Sequence, residues 1–202
     1  MNSKRFIFLS LAIFLGAFAS CQDPDAWEAR HNRMQPPDKV MDAIGVKGGM
    51  VVGEVGAGRG RYAVHMARRV GPSGKVYAND IDRNALRYLE HRCERDDIPN
   101  IITVLGDVTD PKLPEGELDL VYIINTYHHL DDKIGLMKNI RLALKPGGKF
   151  VIIENEPAKS GWNSHTTPEK MVIEEAGEGG FELIRIESFL QEDNIYIFRV
   201  KE

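Results

Sequence analysis

The segment Val51-Val52-Gly53-Glu54-Val55-Gly56-Ala57-Gly58-Arg59-Gly60 reads as an apolar strand running into a glycine-rich turn. The residues that follow, Arg61–Val70, place Ala63, Met66, Ala67 and Val70 on one face at helical spacing. Glycines permit positive φ and let a ligand approach the backbone closely. The first turn of the helix behind them offers free N–H groups. Strand, glycine turn and helix together form the opening unit of an α/β sheet, with a ligand site at the turn.

The same alternation continues outward. Pro37–Ile44 suits a short helix with Pro at its start, and Met50–Val55 a buried strand. Strands are expected at Lys75–Asn79, Ile101–Leu105, Leu118–Ile124 and Lys149–Glu154. Helices are expected at Arg83–Glu94, Asp131–Leu144 and Pro168–Ala176. Phe181–Phe189 and Asn194–Val200 read as a terminal hairpin. The fold class is therefore α/β, a doubly wound, mostly parallel sheet with helices on both faces and an antiparallel C-terminal hairpin. Ligands bind such sheets beyond the C-terminal strand ends, here after Val55, Asn79, Leu105 and Ile124.

Three acids stand at those ends. Glu54 lies inside the glycine motif, whose spacing is G-x-G-x-G with Arg61 after Gly60. A dinucleotide fold carries G-x-G-x-x-G with pyrophosphate on the helix. An acid beside pyrophosphate repels it, whereas an acid near the amino group of a methionine moiety attracts it. This charge argument favours S-adenosylmethionine over NAD. Asp80 directly follows the second strand, where a carboxylate accepts ribose hydroxyls; Asp82 is placed to cap the next helix. Asp107, in Leu105-Gly106-Asp107-Val108, follows the third strand and is placed to accept from an adenine amino group. Asn125 stands at the tip of the fourth, where a methyl group would face its acceptor, followed by Tyr127-His128-His129.

In order and spacing these segments resemble motifs I to IV of the class I (Rossmann-like) S-adenosylmethionine-dependent methyltransferases. Leu144-Lys145-Pro146-Gly147-Gly148-Lys149 resembles the turn before their fifth strand. The resemblance runs from about Pro37 to Val200. It implies a seven-stranded sheet with the last strand antiparallel. It also implies cofactor contacts from Glu54, Gly56, Ala57, Gly58, Gly60, Asp80, Ile81, Asp107, Val108 and Asn125. Many members carry Asp where this chain has Glu54, so the charge is kept. His128 and His129 are candidate bases for a hydroxyl or protonated amine; no metal is required. His31, His65, His91 and His165 read as structural or solvent-facing, and Trp162, in the loop 155–167, as a candidate wall of the acceptor pocket. The acceptor expected is a small molecule, since no cap domain and no basic stripe for nucleic acid is present. Two rivals remain: a lipid-anchored binding protein that kept the fold and lost catalysis, and an NAD-dependent oxidoreductase.

The N-terminal residues carry a separate message. Lys4 and Arg5 precede the apolar run Phe6–Phe18, then Ala19, Ser20 and Cys21. This is the layout of a signal peptide over residues 1–20, and the run is short for a membrane-spanning helix. Phe18-Ala19-Ser20-Cys21 resembles a bacterial lipobox, with Phe in place of the usual Leu. Lipidation of Cys21 would anchor the chain to a membrane of the bacterial cell envelope. Residues 21–36, polar and containing Pro24 and Pro36, read as a tether and lead-in to a domain over 37–202. Without residues 1–20 the chain keeps 24 basic and 30 acidic residues, a net charge of −6. That balance opposes non-specific nucleic-acid binding. An alternative start at Met34 would make the domain cytoplasmic, leaving it intact on the tether reading.

Overall fold

A computed structural model describes residues 24–202. The leader, residues 1–20, and Cys21 lie outside the described residues. Seven strands form one sheet: β1 (Val51–Val55), β2 (Lys75–Asp80), β3 (Ile101–Leu105), β4 (Leu118–Ile124), β5 (Leu144–Asn155), β6 (Phe181–Glu187) and β7 (Asp193–Val200). Their order is β3-β2-β1-β4-β5-β7-β6. The first five pair in parallel, and β7 runs antiparallel to both β5 and β6. This is the architecture that the alternation and the terminal hairpin predict. The chain winds one way from β1 to β3, then returns past β1 to β4. The loops after β1 and β4 therefore part company, which opens a crevice at the switch point.

The central strands divide their side chains between two cores, because successive Cβ atoms point to opposite faces. In β4, Leu120, Tyr122 and Ile124 join a core with the helices α2 (Pro37–Ile44), α3 (Ala63–Val70) and α4 (Arg83–Arg95). Val121 and Ile123 face the other core, built with α5 (Lys133–Ala143) and the helix Glu169–Glu178. All five of these β4 side chains are buried, as expected of a central strand covered on both faces.

Helix starts fall where caps are available. Asp82 caps α4, its carboxylate accepting from the Asn84 amide at 2.8 Å. Asp132 caps α5 by accepting from the Gly135 amide at 2.8 Å, so that helix begins at Lys133 rather than Asp131. The turn Pro146-Gly147-Gly148 lies inside the extended run of β5, where pairing jumps from Leu118–Leu144 to Leu120–Lys149.

The stretch expected to be a tether is different. Pro24–Met34 is a helix, α1. No apolar stripe announces it, because polar side chains dock it. Arg92 on α4 forks onto Glu28 with bonds of 3.0 and 2.8 Å. Arg61 reaches Asn32 at 3.3 Å, and its guanidinium lies over the Trp27 ring at 5.9 Å. A chain begun at Met34 would thus lose a docked helix rather than keep the domain intact. Among the described residues, no helix is long and apolar enough to cross a membrane.

Candidate functional site

The glycine loop between β1 and α3 is held by its own amides. Gly56 and Ala57 both donate to the Asn79 carbonyl, at 2.9 and 2.8 Å, and Gly60 donates to Ala57 at 2.9 Å. Gly58 donates to Asp80 Oδ2 at 2.7 Å. All four amides are spoken for, which leaves no ready cradle for a pyrophosphate. All three glycines have positive φ: 78° at Gly56, 54° at Gly58 and 81° at Gly60. They differ in what a side chain would meet. A Cβ at Gly56 would sit 2.3 Å from Thr126 Cγ2, and one at Gly60 2.2 Å from Leu89 Cδ1. At Gly58 it would meet nothing within 4 Å, because that position faces open space.

Glu54 lies beneath this loop, 2% exposed, and accepts from the Tyr122 hydroxyl at 2.8 Å. Burial pushes its pKa up to about 8, against the opposing pull of Tyr122 and Arg61. The residue therefore stores a proton near neutral pH. It does not itself line either of the two cavities described next.

The first cavity lies beyond β1, β2 and β3. It is lined by Gly56, Asp80, Ile81, Asp107, Val108 and, from the β4 side, Thr126 and His129. Asp80 Oδ1 accepts from the Asp82 amide at 2.8 Å, so the two backbone amides, at Gly58 and Asp82, fix both carboxylate oxygens. Asp107 is exposed and paired with Lys112 at 2.7 Å. Ile81 and Val108 are large apolar residues left 62% and 47% exposed. Two apolar walls with a carboxylate beside each suit a flat, polar-edged ring system with a diol.

The second cavity, of about 330 Å³, opens on the far side of His129. Asn125, His128, His129, His165, Gln35 and Asp193 line it, with Trp27 and His31 of α1. Asn125 holds a left-handed φ of 54°, a strained conformation for a residue with a side chain. Its amide exchanges bonds with the Gln35 amide, Nε2 donating to Asn125 Oδ1 at 2.7 Å and Asn125 Nδ2 to Gln35 Oε1 at 3.1 Å. Gln35 Oε1 also accepts from buried Arg61 at 2.7 Å. Burial lowers the pKa of Arg61 and raises that of Asp193, the latter to about 6. His128 Nδ1 lies 2.8 Å from Glu154 Oε1, and burial, His128 and His165 push the His129 pKa down.

The structure thus gathers Gly56, Asp80, Ile81, Asp107 and Val108 around one cavity, Asn125 and His128 around the other, and His129 at both. Glu54 is buried outside both cavities, and Ala57, Gly58 and Gly60 of the loop stand outside their linings. Trp162 is 78% exposed and lines neither cavity. His165, expected to be structural or solvent-facing, is exposed and also stands beside His128 and His129. Gln35, Trp27 and His31 were hidden in a stretch that reads as a tether. Arg61 was visible only as the residue that changes the glycine spacing.

Residues 52–148 match a protein-family profile described as a methyltransferase domain. The chain is 31% identical over 116 residues to a demethylmenaquinone methyltransferase of Staphylococcus carnosus, covering 57% of this chain and 47% of that protein. A relative of the same name from Lactococcus lactis is 28% identical over 140 residues, 69% of this chain and 52% of that one. The chain spans about half the length of these curated relatives. A SAM-dependent methyltransferase from Aquifex aeolicus superposes with a TM-score of 0.79 at 20% identity, covering 89% of this chain and all of that one. Fibrillarin from Aeropyrum pernix, which carries natively bound S-adenosyl-L-methionine, gives 0.59 at 22% identity over 76% of this chain and 68% of that one. The fold is that of the class I, Rossmann-like S-adenosylmethionine-dependent methyltransferases.

Proposed function

We propose that the protein is an S-adenosylmethionine-dependent methyltransferase acting on a small-molecule acceptor. One observation carries the reading: Asp80 and Asp107, on neighbouring strand ends, line one cavity with exposed Ile81 and Val108 and with Gly56 of the glycine loop. When bound, S-adenosylmethionine supplies an electrophilic methyl group on sulfur. The chain's own residues do the positioning. Asp80 takes the ribose hydroxyls, and Asp107 the polar edge of the adenine between Ile81 and Val108. Gly56, Ala57, Gly58 and Gly60 let the backbone approach, and ionised Glu54 beneath the loop attracts the amino group. His129 borders both cavities and Asn125 the second, so methyl and acceptor meet beside them, and His128 or His129 takes a proton from a hydroxyl or ammonium acceptor.

The second cavity receives the acceptor. Demethylmenaquinone is the first compound to assay, because relatives matched over about half of their length bear that name. Transfer of labelled methyl from S-adenosylmethionine to a panel including demethylmenaquinol, phenols and amines tests the reading. Label in at least one product, abolished by Asp80→Ala, is the expected result. Cofactor binding without transfer to any acceptor would favour a non-catalytic binding protein of the same fold. The leader is a separate proposal: residues 1–20 are cleaved and Cys21 is lipidated, tethering the enzyme to a membrane.

A further inference from the structure

Three imidazoles converge at the mouth of the second cavity. His128–His129, His128–His165 and His129–His165 ring centroids lie 4.1, 5.1 and 5.6 Å apart. One ring nitrogen from each falls within 4.8 Å of the others. We propose that His128, His129 and His165 bind one divalent transition-metal ion of the zinc type, with an open coordination position facing the acceptor cavity; the role of that position rests on the methyltransferase reading, the binding of the ion does not.

The geometry supports this at three levels. His128 Nε2 and His165 Nδ1 are 3.2 Å apart. Two nitrogens on a tetrahedral ion with bonds of about 2.0–2.1 Å stand roughly 3.4 Å apart, so this pair needs almost no movement. His129 is exposed and needs only a modest side-chain turn. Behind the ligands, His128 Nδ1 faces Glu154 Oε1 at 2.8 Å, and Thr167 Oγ1 donates to the same oxygen at 3.1 Å. A carboxylate accepts, so Nδ1 carries the proton and the Nε2 lone pair points at the cluster. Carboxylate, imidazole and metal in line is the arrangement that fixes and strengthens a histidine ligand. Glu154 is fully buried and its Oε2 has no partner in the described structure.

The segment bearing His165 is also built rather than loose. The His165 amide donates to Asn163 Oδ1 at 2.8 Å, and the Thr167 amide to the Asn155 carbonyl at 3.0 Å. A histidine serving only as the partner of buried Glu154 would explain His128. It would not explain two further exposed imidazoles turned toward it. An all-imidazole set suits zinc, copper, nickel or cobalt rather than magnesium or calcium. Three protein ligands leave a fourth position free. It opens toward Asn125 and Asp193 and fits an oxygen donor of the acceptor. An ion held there would acidify that oxygen, its proton passing to solvent, and with the ion bound His128 and His129 would act as ligands in place of the base role given to them above.

The test uses the full chain, stripped with chelator and titrated with Zn²⁺ by calorimetry and with Co²⁺ by visible absorption. One equivalent should bind at micromolar or tighter dissociation constant, with tetrahedral-type cobalt bands. His129→Ala and His165→Ala, both at exposed positions, should each weaken binding at least tenfold. Glu154→Gln should weaken it about 10- to 100-fold, while His91→Ala should change nothing. Failure of the wild type to bind, or equal loss on His91→Ala, overturns the proposal. S-adenosylhomocysteine binding is measured in parallel. Cofactor without metal binding sinks this inference and leaves the methyltransferase reading; metal without cofactor binding does the reverse.

Discussion

Glu54→Gln probes the site through a proton. In the free protein the carboxyl is buried and its pKa stands at about 8. At pH 7 such a group is about 90% protonated. If the ammonium of the cofactor settles above it, the ionised form is favoured and the pKa falls toward its ordinary value of 4.5. Binding at pH 7 should then release about 0.9 proton from this residue, falling to about 0.5 at pH 8 and about 0.1 at pH 9. Because the ionised form binds better, the dissociation constant should rise roughly tenfold for each unit that pH falls between 8 and 5. The assay is calorimetry of S-adenosylmethionine binding in buffers of different ionisation enthalpy. The slope of observed enthalpy against buffer enthalpy counts protons. Any proton taken up by the cofactor itself cancels when Glu54→Gln is subtracted. A difference near 0.9 at pH 7 supports the reasoning. Equal slopes for wild type and variant would refute it, and would mean that Glu54 does not sense the ligand's charge.

Other expectations follow from the same geometry. The raised pKa of Glu54 stabilises the fold fully below about pH 4.5, and that contribution is lost as pH rises through about 8. Denaturant melts from pH 5 to 8 should therefore show wild type losing on the order of 3–5 kcal/mol relative to Glu54→Gln; parallel curves would contradict the burial argument. Gly60→Ala combines a positive φ with a 2.2 Å clash on Leu89 and should cost about 3 kcal/mol in chemical unfolding. Gly58→Ala faces open space, so its cost should stay near 1 kcal/mol while cofactor affinity falls at least tenfold. Comparable stability losses at the two positions would argue against an open ligand face at Gly58. Mass spectrometry of the native N-terminus should find a lipidated Cys21. A chain starting at Met34 would contradict the leader reading, and would also remove α1 and its contacts to Arg61 and Arg92.

Most of the sheet was legible because its signals are local. Val51–Val55 and Leu118–Ile124 are mostly apolar runs, broken by Gly53, Glu54 and Asp119, and each ends on a turn or polar residue at the crevice. The acids at 54, 80 and 107 could be placed because strand ends converge in a parallel sheet. Other features needed coordinates. Helix α1 is docked through Glu28, Trp27 and Asn32, so it lacks the apolar stripe that marks a packed helix. His165 lies 37 residues from His128, in a loop whose path no periodicity reports. Glu54 drew attention by charge, but its burial and stored proton depend on Tyr122, 68 residues away. Trp162 invited an aromatic-wall reading that its solvent exposure does not support.

The crevice beyond β1, β2 and β3 is proposed as an S-adenosylmethionine site, and calorimetric titration of the purified full chain with S-adenosylmethionine, repeated on Asp80→Ala, is the decisive test. One site with a micromolar dissociation constant, weakened at least tenfold by the substitution, is the expected result. No heat of binding to the wild type, or an affinity unchanged in Asp80→Ala, would contradict it.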